Sequence, residues 1–172
     1  MASFDQIYRV KRDGERIDGV FRMAFIHNWT YFLTPIGIYR DGMVDCWGLM
    51  TFEEFKQQVR SGRVVTQPPP NAKVSVSFLA QFTATDACYW IKPEEFIKEI
   101  ADEIEGLNGR LTTREKCFAA WTAYEASPSE ITKDALRLAY EAVPEHNRVF
   151  VLSDQDRKDH PIRQVLYPEQ YD

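Results

Sequence analysis

An α+β fold, with a mainly antiparallel sheet built from hairpins in the first half and about four helices concentrated in the second, is predicted by three observations. Asp13-Gly14 and Asp41-Gly42 each stand between strand-like runs, and Asp-Gly supplies the positive φ angles of tight hairpin turns. From Lys92 onward, apolar residues recur at helical spacing behind capping signals. The 172 residues are 44% hydrophobic and 13% aromatic, enough to bury roughly 70% of the unfolded surface in a core of their own.

Taken in order, "QIYRVKR" and "ERIDGVFRMAFIH" flank the first Asp-Gly, and "TYFLTPIGIYR" and "MVDCWGL" flank the second. A two-residue loop at Asp41-Gly42 sets Arg40 opposite Met43, Tyr39 opposite Val44 and Ile38 opposite Asp45. Val44 and Cys46 then share one face, and Met43, Asp45 and Trp47 the other. Asp45 is expected to pair diagonally with Arg40, and Trp47 to pack under the next helix or to anchor a partner.

That helix is "TFEEFKQQVRSG". Thr51 and Glu54 form a capping box, Phe52, Phe55 and Val59 lie on one stripe, and Gly62 suits the left-handed stop. "RVVTQ" and "KVSVSFLAQFTAT" return to strand periodicity, with Val74, Val76 and Phe78 on one face. Pro68, Pro69 and Pro70 lie between them. Proline has no amide hydrogen for a sheet ladder, so the run reads as a stiff connector between two strands, and it lacks the spacing of a polyproline docking peptide.

"KPEEFIKEIADEIEGLNG" opens with Pro93 at the first helical position, carries Phe96, Ile97, Ile100 and Ile104 on one stripe and stops near Asn108-Gly109. Thr112 and Glu115 cap the next helix. A third begins at Ser127, Pro128 and Glu130 and is expected to turn Ile131, Ala135, Leu138 and Ala142 inward until Pro144. "RVFVL", residues 148–152, reads as one more strand, and "PIRQVLY" as a short terminal helix. The helical stripes need a partner and the sheet is the nearest, which favours a single domain over 1–172: strand-rich 1–91, helix-rich 92–147, then a short strand and tail over 148–172.

Composition narrows the function classes. No run reaches the roughly 18 apolar residues of a membrane span, the N-terminus lacks the apolar centre of a secretory signal, and Cys46, Cys88 and Cys117 are too irregularly spaced for a disulfide framework or a zinc site. A reduced, cytoplasmic protein with no membrane association is expected. Residues 1–86 carry 10 Lys and Arg against 9 Asp and Glu, whereas residues 87–172 carry 11 against 17, so the net charge of -5 belongs to the second half. That balance disfavours nucleic acid as a partner. There is no GxGxxG, phosphate-loop, HExxH or GxSxG signature, and the sequence leans away from an enzyme.

Glu95, Glu99 and Glu103 recur at spacing four with Asp102 beside them, so like charges stack along one helix face, each pair costing roughly 0.2 to 0.5 kcal/mol. Such a ridge suits a basic partner. The first reading is therefore a protein-interaction module of inhibitor, immunity or adaptor type, binding a basic protein through Glu95, Glu99, Asp102 and Glu103 without a cofactor. The alternative is a small metal-assisted hydrolase in which Asp154, Asp156, Asp159 and His160 hold a divalent cation. The cysteines read as small buried apolar groups, and His27 as a rim residue.

Overall fold

The computed structural model describes residues 6–153 and 158–170. The chain divides into two compact units, residues 1–109 and 110–172. The first contains β1 (Gln6–Val10), β2 (Arg16–Asn28), β3 (Thr30–Tyr39), β4 (Met43–Asp45), β5 (Leu49–Thr51), α1 (Phe52–Arg60), β6 (Val64–Val65), β7 (Ala72–Val76), β8 (Ala80–Ala84) and α2 (Pro93–Leu107). The second contains α3 (Thr113–Ala126), α4 (Glu130–Ala142) and α5 (His160–Leu166), with 3-10 turns at Glu145–Phe150 and Pro168–Gln170. The class is α+β, as expected. Among the described residues no helix is long and apolar enough to cross a membrane.

The sheet is organised around the long β2–β3 hairpin, with β1 to β5 in sequential antiparallel order. Each of the two long strands serves two neighbours end to end. β2 pairs with β1 along its first half and with β6 at Phe25 and Ile26. β3 pairs with β4 at Gly37 and Ile38 and, in parallel, with β7 at Tyr31 to Leu33. Because side chains alternate, Ala24, Ile26, Ile36, Ile38 and Val44 fall on one face, where they pack with Phe55 and Val59 of α1 and Phe96, Ile97 and Ile100 of α2. Phe55 and Phe96 meet edge to face at 6.2 Å. Both helices lie on that face, so the opposite one, with Phe21, Met23, Pro35, Gly37 and Tyr39, has no helix of this unit over it.

Local signals placed the helices well. Thr51 and Glu54 form both bonds of the predicted capping box, and Gly62 ends α1 at φ +76°. Pro93 opens α2, Asn108 closes it, and Gly109 follows at φ +67°. Pro68–Pro70 lie between β6 and β7, as a connector should.

Three features of the first unit differ from the sequence reading. The β3–β4 loop has three residues, so Ile38 faces Val44 and Gly37 faces Asp45. A two-residue type I′ turn needs two positive φ angles, and here only Gly42 has one, at +79°. Likewise, Asp13-Gly14 sits within a longer loop closed by the Lys11 amide on the Glu15 carbonyl at 2.9 Å. "KVSVSFLAQFTAT" is not one strand but the β7–β8 hairpin, and Phe78, expected to share a strand face with Val74 and Val76, projects fully exposed from its tip.

In the second unit Cys117, Leu136, Tyr140, Val143, Val151, Ile162 and Leu166 form a separate apolar cluster. A single domain was expected because the helical stripes need a partner and the sheet is the nearest; α2 packs on the sheet, and α3 and α4 contribute to this second cluster with α5. The cap of α4 is Ser129 rather than Ser127. Its buried face is Leu136 and Tyr140, leaving Ile131 and Leu138 exposed, because the partners are Cys117 and the apolar side of α5. "RVFVL" is not a strand. The described residues of this unit offer it no strand to pair with, and Arg148 instead donates to the carbonyls of Val143 at 3.1 Å and Glu141 at 3.0 Å, closing the end of α4.

Candidate binding groove

The face of the sheet opposite α1 and α2 holds a groove of about 410 Å³ lined by Ile7, Phe21, Met23, Pro35, Ile36, Gly37, Tyr39, Asp45 and Trp47. Two glycines make room for it. Gly19 and Gly37 lie on the same face in neighbouring strands, and the Tyr39 ring lies across both. A Cβ on Gly19 would stand 2.4 Å from the Ile38 carbonyl oxygen and 2.7 Å from Cδ1 of Tyr39; one on Gly37 would stand 3.0 Å from the Tyr39 hydroxyl and 3.1 Å from Cδ1 of Ile7. The guanidinium of Arg9 lies 5.2 Å from the Tyr39 ring centroid and pairs with Asp41. Burial pushes the Tyr39 hydroxyl above its ordinary pKa, the charge on Asp45 adds to this, and Arg9 opposes it.

Asp45 and Trp47 come from the predicted outer face of β4 and the turn after it. The expected Arg40–Asp45 ion pair does not form: Arg40 lies 3.4 Å from Glu15, and Oδ1 of Asp45 accepts the Gly48 amide at 3.1 Å. Among the described residues no lysine or arginine pairs with Asp45. Trp47, at φ +57°, is held in a left-handed turn closed by the Cys46 amide on the Gly48 carbonyl at 3.1 Å. Its indole packs against Phe32, with ring centroids 5.2 Å apart, and stays half exposed. The groove thus combines aromatic walls, an apolar floor and one carboxylate.

The acidic ridge of α2 has a different environment. Arg22 points from the helix-covered face of β2 onto α2, 3.4 Å from Glu99 and hydrogen-bonded to Glu103. Lys98 holds Glu95 at 2.7 Å, and Arg60 holds Glu94 at 3.1 Å. Glu95 and Glu99 are about 15% exposed at their side chains (14% and 15%) and Glu103 is 23% exposed. Three of the four ridge carboxylates are therefore paired within the chain, Glu99 and Glu103 sharing the single charge of Arg22. Burial raises the Glu103 pKa above its ordinary value, the charges of Glu99 and Asp102 add to the rise, and Arg22 opposes it.

The chain matches the model of one family over residues 6–111, well over half its length. It belongs to that family, described as Domain of unknown function (DUF7638). Residues 112–172 match a second model, Domain of unknown function (DUF7639), and this division falls two residues from the break between the compact units. No curated protein and no solved structure matches the chain.

The DUF7638 part thus contains the groove and the ridge, and the DUF7639 part contains the loop read as a metal site. Of that loop, Asp154 and Asp156 lie outside the described residues. His160 begins α5 and is exposed. Asp159 is 5% exposed and accepts the Tyr140 hydroxyl at 2.5 Å through Oδ2. Burial and this bond together raise the Tyr140 pKa. Tyr140→Phe is expected to cost about 2 kcal/mol by leaving a buried carboxylate unsatisfied; urea unfolding that shows a loss below about 0.5 kcal/mol would rule the bond out as a stabilising contact.

Burial pushes the thiols of Cys46 and Cys117 up to about 11, which leaves them protonated near neutrality and fits their reading as small core groups. Cys88 departs from that reading and is exposed. Sequence patterns also missed the β2–β3 turn. Trp29 stands there at φ +63° and 98% exposed, beside His27, whose ring stacks on Tyr31 at 4.5 Å. Asn28 next to it was the available turn signal.

Proposed function

We propose that this chain is a protein-interaction module that takes a cationic side chain of a basic partner into the groove on the sheet face opposite α1 and α2. The observation that carries the reading is an aromatic-walled groove in which the carboxylate of Asp45, beside Trp47 and Tyr39, has no lysine or arginine partner among the described residues. A lysine or arginine stem would cover the apolar floor, its charge would lie over the rings, and Asp45 would supply the opposite charge. Arg9 stacked on Tyr39 is an internal instance of the same contact. This keeps the basic partner inferred from the sequence and moves its site. The ridge on α2 is less suited to the task, because Arg22 and Lys98 already occupy its carboxylates. The metal-assisted hydrolase remains the second reading; the described residues contain no group of three His, Cys, Asp or Glu able to hold an ion, so no specific observation favours it.

The test is a titration with an arginine- and lysine-rich peptide, followed by the backbone amides of Gly37 and Asp45 and the indole N–H of Trp47. These signals should move together, and should not respond to an acidic peptide. Asp45→Asn keeps the oxygen that accepts the Gly48 amide while removing the charge, and is expected to weaken binding about tenfold, or 1.4 kcal/mol. Equal binding by Asp45→Asn and the parent, or movement confined to α2, would overturn the proposal.

A further inference from the structure

We infer that β8 pairs edge to edge with β8 of a second copy of this chain, in antiparallel register about a two-fold axis at Phe82. β8 hydrogen-bonds to β7 on one side only. Residues 80–83 are exposed throughout, and no backbone hydrogen bond among the described residues ties the outer side of this edge to another segment. A row of open amides and carbonyls is satisfied by an extended strand and by little else. Natural edges are usually guarded by lysine, proline or a bulge. β8 reads "AQFTA" and has neither a charge nor a proline.

The identity of the occupant follows from the order of residues in that strand. Reversed, "AQFTA" becomes "ATFQA", so an antiparallel copy sets Ala80 against Ala84, Gln81 against Thr83, and Phe82 against Phe82. Small residues meet small ones, polar meet polar, and two aromatic rings face each other, as an isologous contact requires. No like charges oppose one another. The exposed Phe78 and Leu79 at the hairpin tip lie just beyond the paired segment, where they extend the apolar contact along the partner. Five residues and a hairpin tip bury less than the ~1,600 Å² of a standard interface, so the association belongs on the order of micromolar.

Sedimentation velocity of the full chain between about 1 and 200 μM reads this directly, a range chosen to bracket a micromolar constant. The parent should pass from monomer to dimer. Phe82→Lys and Phe82→Glu place like charges at the axis, and each alone should remain monomeric over the range. An equimolar mixture of the two should recover a heterodimer, which a misfolded variant would not do. The proposal is overturned if the parent stays monomeric throughout, if either single variant dimerises like the parent, or if the mixture stays monomeric. Circular dichroism melts confirm that both variants fold. The groove lies on other strands, so its response to basic peptides should be unchanged in both variants.

Discussion

Replacing Arg22 by alanine is expected to lower stability by about 2 kcal/mol, because it leaves Glu99 and Glu103 partly buried on α2 without their shared cation. The figure lies below the 3–5 kcal/mol of a fully buried pair, since all three side chains keep some contact with solvent. Arg22 also donates to the Phe21 carbonyl at 2.9 Å, a bond lost with it. The pH dependence separates charge from packing. Glu103 has its folded pKa raised, mainly by burial, so its contribution is fully present below its unfolded pKa and is lost as pH rises through the folded value. Arg22→Ala removes the influence that restrains this rise. The gap between variant and parent in urea unfolding should therefore narrow as pH falls and Glu103 takes up its proton. A gap that stays constant down to pH values where carboxylates are protonated would mean that lost packing, not an exposed charge, accounts for the difference.

Gly19→Ala is expected to cost about 3 kcal/mol, the upper end of the range for forcing a methyl group into a filled site. Its Cβ would meet the Ile38 carbonyl oxygen at 2.4 Å, and backbone in the middle of a ladder cannot move aside as a side chain can. Tyr39 would be displaced as well, since its ring lies 2.7 Å from the same point. Gly37→Ala provides the contrast. There the neighbours are the Tyr39 hydroxyl and the tip of Ile7, which can shift by a few tenths of an ångström, so the loss should be markedly smaller. Thermal or urea unfolding of the two variants checks the order; equal losses would show that the Gly19 contact with backbone is relieved by a shift of the strand.

The legible parts of this fold are those governed by near neighbours in the chain. The capping boxes at Thr51 and Thr112 satisfy their own helix ends, and the alternation that sets Asp45 and Trp47 opposite Val44 and Cys46 needs only a strand. The β7–β8 hairpin was hidden because its turn has no glycine, proline or asparagine: Ser77 and Phe78 take positive φ angles, 24° and 59°, which side chains rarely adopt. α4 carries two apolar stripes, and only its tertiary partners decide that Leu136 and Tyr140, not Ile131 and Leu138, go inside. The spacing of Glu95, Glu99 and Glu103 could be read from the sequence and so could Lys98 beside Glu95, but the cation that Glu99 and Glu103 share comes from Arg22 on β2, far away in sequence. The groove was invisible for the same reason, since it depends on Gly19 lying beside Tyr39 across two strands.

The parallel contact of β3 with β7 has a kinetic meaning. Tyr31 can settle beside Val74 only after the polypeptide has travelled through β4, β5, α1 and β6 and returned, whereas the joints from β1 to β5 are closed by short reversals. Loop-closure entropy disfavours the long excursion relative to the short reversals, so the β7–β8 ribbon is expected to dock onto a framework that neighbouring strands have already assembled. Until it does, the first half of β3 is paired with β2 on one side only, and a nascent chain has one more adhesive margin than the finished molecule.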